Sequence, residues 1–201
     1  MTAVIDGAHS RRWILAFAAR VAEQEAALNA LDQAAGDGDF GTNIAAGVAL
    51  YRKHAERTAQ GSGEAEFRAL AEGFLDEIGG TSGPLFGLLF LHLSEAGRSL
   101  ADRVAGGLAA IQRVGSAEPG DKTLVDALQP ARDALAEAGD ASLDDLLTAA
   151  ARAAAAGAEA TAAIRARRGR ASYVGERAVG VVDPGAQTVA YFFQAGADTL
   201  R

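Results

Sequence analysis

The chain has 201 residues, no cysteine and a formal net charge of −7. That length fits one domain, read here as 1–201. The missing thiols exclude disulfides and thiolate metal centres and agree with a cytoplasmic location, and the acidic balance argues against nucleic-acid binding. No stretch approaches the roughly twenty apolar residues of a membrane span, and the N-terminal MTAVIDGAHSRRW lacks the basic and apolar regions of a signal peptide.

Apolar residues recur at helical steps from the start of the chain. Trp13, Ile14, Phe17, Val21, Leu28 and Leu31 predict an amphipathic helix over 9–33. A second follows over 43–60, and Phe67, Leu70, Ala71, Phe74, Leu75 and Ile78 mark a third. The stretch 84-PLFGLLFLHL-93 is apolar on nearly every side and predicts a buried fourth helix. Residues 101–114 and 123–138 make a fifth and a sixth. Ser142 with Asp145 resembles a capping box for an alanine-rich seventh over 143–167, which closes on 165-RARRGR-170. The last helix, 184–199, begins with Pro184 in its first turn. Two stretches, 178-AVGVVD-183 and 188-TVAYFF-193, have a strand-like pattern, but an isolated strand pair is marginal. The reading is an all-α domain of about eight helices with largely antiparallel neighbours.

Four connections differ from ordinary polar loops: 36-GDGDFGTN-43, 79-GGTSGP-84, 115-GSAEPGDKT-123 and 169-GRASYVGERAVGVVDPGA-186. Each mixes glycine with Asp, Ser, Thr or Arg, and the first three lead into a helix. A helix N-terminus offers unpaired N–H groups and positive potential, and glycine lets the backbone approach a ligand closely. One such loop is most simply a capped turn. Four in one small helical domain point to a shared, phosphate-rich ligand.

The first loop also gathers carboxylates. Asp37 and Asp39 flank a single glycine, and Asp32 lies five residues before Asp37 at the end of the first helix. Three such oxygens suit a hard divalent cation that also binds phosphate, such as Mg2+. An EF-hand is excluded because the twelfth position counted from Asp37 is Val48 rather than Glu, and no P-loop motif occurs. Metal and phosphate beside helix N-termini imply phosphoryl chemistry, in which a protein chiefly positions groups and offsets charge. Lys122 and Arg170 are candidate cations, although Lys122 reads equally well as a first-turn surface lysine. His9 and His54 read as surface residues and His92 as a satisfied core or interface residue. None has a partner that suggests a catalytic dyad.

The segments 31-LDQAAGDGDFGTN-43, 79-GGTSGPLFG-87, 118-EPGDKTLVDAL-128 and 169-GRASYVGERAVGVVDPGA-186 together resemble the nucleotide-binding L subunits of bacterial dihydroxyacetone kinases, which also occur as the C-terminal domain of single-chain kinases. The resemblance runs in order over nearly the whole chain. It implies an eight-helix antiparallel barrel with the nucleotide, ADP or ATP, at one end. It implies that Asp32, Asp37 and Asp39 hold two Mg2+ ions. Gly41, Thr42 and Asn43 would line the phosphates with Thr81 and Ser82. Gly115, Leu124 and Arg170 would contact the base or ribose, and Asp183 and Pro184 would close the site. One departure stands out: Phe40 occupies a position where the family usually has histidine, and phenylalanine donates no hydrogen bond.

The resemblance further implies half an enzyme. The partner would be a K-type subunit that holds dihydroxyacetone covalently through a histidine. The donor is either exchanging ATP or a resident ADP rephosphorylated by a phosphotransferase-system phosphocarrier. A homodimer is compatible with the sequence. Two alternatives stay open: a nucleotide-binding regulatory or interaction module, and a kinase subunit for another short keto-sugar or, with further domains, a fatty acid.

Overall fold

The computed structural model describes residues 5–56, 61–169 and 171–200. Its long helices are α1 (Gly7–Ala35), α2 (Phe40–Ala55), α3 (Gly63–Glu77), α4 (Ser82–Leu93), α5 (Leu100–Gly115), α6 (Val125–Ala138), α7 (Leu143–Ala160) and α9 (Pro184–Asp198), with a single-turn α8 (Ala171–Val174) before the last. Each long helix packs on the next, and α9 closes the ring against α1. The arrangement is therefore a closed, all-α barrel, as short connections between amphipathic helices dictate. No strand occurs among the described residues: 188–193 lie within α9, and 178–183 form a turn that leads into it.

The barrel is held by aromatic side chains. Trp13 stacks on Phe192 at 4.6 Å between ring centroids, and its Nε1 donates to the Phe192 carbonyl at 2.6 Å. Phe17, Phe74, Phe86 and Phe90 continue the cluster, all at 1% exposure or less. Small residues set the closest approaches. A Cβ at Gly157 of α7 would lie 2.3 Å from the Asp126 carbonyl of α6, and Ala150, Ala151, Ala154 and Ala158 are buried on the same helix.

Several boundaries differ from the sequence reading. The second helix starts at Phe40 and ends at Ala55, and residues 57–60 of the predicted span lie outside the described residues. The sixth starts at Val125, because Thr123 and Leu124 belong to the turn before it. The predicted seventh, 143–167, stops at Ala160 and passes through a 3-10 turn, Thr161–Ala163, into extended chain. There the Thr161 hydroxyl donates to the Ala158 carbonyl, and the Thr161 carbonyl accepts both Lys122 Nζ and the Ile164 N–H. His9 and His54 are not surface residues. They are 4% and 5% exposed, His9 edge-on to Trp13 and His54 Nδ1 3.5 Å from Glu72. Burial, helped by the Arg12 charge, holds the His9 imidazole below its ordinary pKa.

Capping separates the two ends of the barrel. Helices α1, α3, α5 and α7 each begin with a side-chain cap, from Asp6, Ser62, Ser99 and Ser142. At the other end α2, α4 and α6 begin at Asp39, Thr81 and Leu124, with no side-chain cap of their own. Asp183, whose carboxylate accepts the Ala186 N–H, caps α9 there.

Candidate functional site

A cleft opens at the end of the barrel where α2, α4, α6 and α9 begin. All four glycine-containing connections reach it. The first contributes Asp32, Asp37, Asp39, Phe40 and Asn43, and the second Gly79, Gly80, Thr81 and Ser82. Lys122, Thr123 and Leu124 come from the third, and Arg168, Gly169, Asp183 and Pro184 from the last.

Asp32 organises the first loop. Its Oδ2 accepts the N–H groups of Gly38, Asp39 and Phe40 at 2.9, 3.1 and 3.2 Å. Gly38 makes the bend possible with φ +83°, a region that residues bearing a Cβ rarely adopt. The turn brings one carboxylate oxygen from each of Asp32, Asp37 and Asp39 to within 4.8 Å of one another, the single such acidic or histidine cluster among the described residues. Three like charges this close disfavour one another unless a cation sits between them. The donor set is all oxygen, which fits Mg2+.

The start of α2 is pressed against α1. A Cβ at Gly41 would lie 2.3 Å from the Glu25 carbonyl. The Thr42 N–H donates to Asn29 Oδ1 at 3.1 Å, and its hydroxyl donates to Glu25 at 2.9 Å. Gly41 and Thr42 therefore face α1 and do not line the cleft, whereas Asn43 does. Thr81 and Ser82 do line it, at the uncapped start of α4, and Gly80 turns the chain there with φ +75°. Gly115 is the last residue of α5; a Cβ there would lie 4.0 Å from Leu85, which lines the cleft. Leu124, Asp183 and Pro184 are at the cleft. Arg170 lies outside the described residues.

Lys122 is not a surface lysine. It is 2% exposed, and Nζ donates to the Thr161 and Val181 carbonyls. Burial lowers its pKa, while the Asp183 and Asp126 carboxylates raise it. Asp183 keeps part of its surface toward the cleft. Burial nonetheless pushes its carboxyl up to about 7, against the Ala186 N–H that favours the charged form.

Sequence reasoning missed four contributors. Arg168 stands at the rim with Nε 3.5 Å from Asp121; within 165-RARRGR-170 the sequence singles out Arg170 alone and leaves Arg168 as part of a helix end. Leu85 and Phe86 read as core because α4 is apolar all round, yet both reach the cleft. Thr123 lay beside the lysine that drew attention. Phe40 packs edge-on to Phe86 with centroids 6.4 Å apart. A second groove, of about 460 Å³, runs between α6 and α7 past Asp133 and Arg152, but its carboxylates, Asp126, Asp133 and Glu137, do not converge as the three aspartates do.

The description "DAK2 domain" matches residues 34–198. The ADP-binding subunit DhaL of PEP-dependent dihydroxyacetone kinase 1 from Listeria innocua is 35% identical over 191 residues, which is 92% of either chain. L-erythrulose 1-kinase from Mycolicibacterium smegmatis is 40% identical over 187 residues, 87% of this chain and 32% of that one. Among solved structures, dihydroxyacetone kinase from C. freundii in complex with AMP-PNP and Mg2+ superposes with a TM-score of 0.72 at 31% identity, covering 92% of this chain and 33% of that one. The chain thus matches nearly the whole of a DhaL subunit and about a third of the longer kinases. On the match to 165 consecutive positions and on these relatives, the chain belongs to the DAK2 domain family of kinase subunits and domains.

Proposed function

We propose that this chain is the nucleotide-carrying L subunit of a two-part dihydroxyacetone kinase. The observation that carries the reading is the convergence of Asp32, Asp37 and Asp39 in the same cleft as the uncapped start of α4. The three aspartates would hold Mg2+, two ions in this reading, and bound Mg2+ would offset phosphate charge during transfer. Asn43, Thr81 and Ser82 offer amide and hydroxyl donors that orient the phosphates, with Gly41 and Thr42 fixing the helix that presents Asn43. Leu85, Leu124 and Pro184 supply an apolar wall for the base of ADP or ATP. Gly115 backs that wall, Asp183 borders it, and Arg170 is proposed for the ribose side.

The acceptor comes from outside the chain. In this reading a K-type subunit presents covalently held dihydroxyacetone in the cytoplasm, and a phosphotransferase-system phosphocarrier or free ATP recharges the site. The names of the Listeria innocua and Lactococcus lactis relatives, PEP-dependent and PTS-dependent, favour the phosphocarrier. A second substrate reading, a four-carbon ketose, is favoured by the 40% identity to L-erythrulose 1-kinase. Because the partner holds the sugar, both readings use the same cleft.

The test is to purify the protein without added nucleotide, quench it in acid and chromatograph the supernatant. About one ADP per chain is expected for a phosphocarrier-driven subunit, and Mg-ATP binding without retention for the exchanging kind. Asp37→Ala should lose the nucleotide while helical circular dichroism is kept. If Asp37→Ala binds nucleotide with Mg2+ as tightly as the parent, the site assignment is wrong.

A further inference from the structure

Lys122 is costly where it stands. Its φ is +63°, strained for a residue with a Cβ, and its ammonium is buried. An apolar side chain would occupy the same space without either charge or desolvation. Nζ spends two of its three N–H groups on carbonyls from separate segments: Thr161, just beyond α7, at 2.6 Å, and Val181, two residues before Asp183. The Thr161 hydroxyl in turn accepts the Asp183 N–H at 2.9 Å. On the other side, Asp126 accepts the N–H groups of Gly120 and Thr123, which fixes the loop that carries Lys122.

The stretch between Thr161 and Asp183 crosses the end of the barrel with only short helical turns of its own. Two backbone bonds lie in this same knot: Gly180 N–H to the Ala162 carbonyl at 2.8 Å joins the two ends of the stretch, and Arg167 N–H to the Asp121 carbonyl at 3.0 Å joins it to the 116–124 loop. Leu124 and Gly185 meet beside it, where a Cβ at Gly185 would lie 3.3 Å from the Leu124 Cβ. Lys122 therefore joins the 116–124 loop, the end of α7 and the approach to α9 at a single atom.

We propose that Lys122 is a positioning residue for the nucleoside half of the cleft: by clamping the Thr161 and Val181 carbonyls it sets the wall formed by Leu124, Asp183 and Pro184, and it does not itself hold phosphate. The proposal rests on the nucleotide reading above. It separates two ligands that a phosphate-binding lysine would treat alike. Loss of the clamp weakens a ligand that needs the wall and spares one that needs only the carboxylates and the start of α4.

The experiment is calorimetric titration of the full chain, in Mg2+, with ADP and separately with inorganic pyrophosphate, alongside thermal melts. In Lys122→Met the ADP affinity should fall about tenfold or more, with pyrophosphate affinity held within about twofold. Lys122→Arg, which keeps the charge and the donors, should recover part of the ADP affinity. Thr161→Val keeps every carbonyl and removes only the hydroxyl that receives the Asp183 N–H. It should show the same selective loss on a smaller scale, and it decides the matter if Lys122→Met does not fold. Equal loss of both ligands would make Lys122 a phosphate contact and overturn the proposal. Unchanged ADP affinity with a lowered melting temperature would make it a purely structural tie and overturn it as well. A parent that binds neither ligand would instead sink the nucleotide reading, and this proposal with it.

Discussion

Asp32 Oδ2 accepts the Gly38 N–H at 2.9 Å, so the carboxylate at the end of α1 sets the path of the loop that bears the other two. Asp32 therefore serves the fold as well as the proposed metal site. Asp32→Ala should lose metal-dependent nucleotide binding and also destabilise the chain by about 1–3 kcal/mol, because three N–H groups lose their acceptor. Asp32→Asn keeps an acceptor oxygen and should lose binding with a smaller stability cost. Unfolding curves for the two variants check this.

Phe40 stands half-buried against Phe86 at the cleft. Phe40→Ala should cost about 1–3 kcal/mol of stability, the low end of aromatic truncation because the ring is only partly buried. Guanidinium unfolding of parent and variant gives the number.

Gly157 sits where α7 crosses α6, and a Cβ there would meet the Asp126 carbonyl at 2.3 Å. Gly157→Ala must push the two helices apart. A loss of about 2–4 kcal/mol is expected despite the better helix propensity of alanine, because a backbone atom cannot rotate away. Asp126 also fixes the loop that carries Lys122, so the variant should weaken ADP binding as well. Thermal melts and titration on one sample test both effects.

Asp183 gives a pH dependence of known sign. Its carboxyl is harder to ionise in the folded chain, at about 7, than in the unfolded chain, near 3.8. Its contribution to stability is therefore fully present below about pH 4 and is lost as pH rises toward about 7. Cleft solvent moderates the shift, so the loss across that window should be on the order of 2 kcal/mol. Asp183→Asn should remove this component. The difference in stability between parent and variant, followed from pH 4 to pH 8, should change sign or narrow in that direction. A flat difference would rule the effect out.

Much of the architecture was legible because it rests on local chemistry. Trp13, Phe17 and Val21 keep helical spacing and all three are buried, and Ser142 caps α7 through the Asp145 N–H as its position suggested. The glycine connections announced where the chain bends, and they do meet at one end. What escaped depends on contacts between distant segments. The end of α7 is held by Lys122, 39 residues away, and nothing in the alanine run foretells that contact. His9 and His54 are polar in type but fall on inward faces. Leu85 and Phe86 belong to a helix so uniformly apolar that periodicity could not say which side would meet the cleft. Arg168 was hidden by its neighbours, since a basic cluster at a helix end already has an electrostatic explanation.

The unequal capping of the two barrel ends has a kinetic meaning. Helices that start far from the cleft complete their own first turns through Asp6, Ser62, Ser99 and Ser142. Of those that start at the cleft, α9 has its Asp183 cap, whereas α2 and α6 rely on neighbouring segments and α4, at Thr81, on solvent. Amide hydrogens at the start of α4 should thus exchange with deuterium sooner than those at the start of α5 or α7 in the free chain. An anion seated there would slow the first group and leave the second untouched. The ligand would serve as the missing end of the fold, and the molecule would be most fully folded when it is loaded.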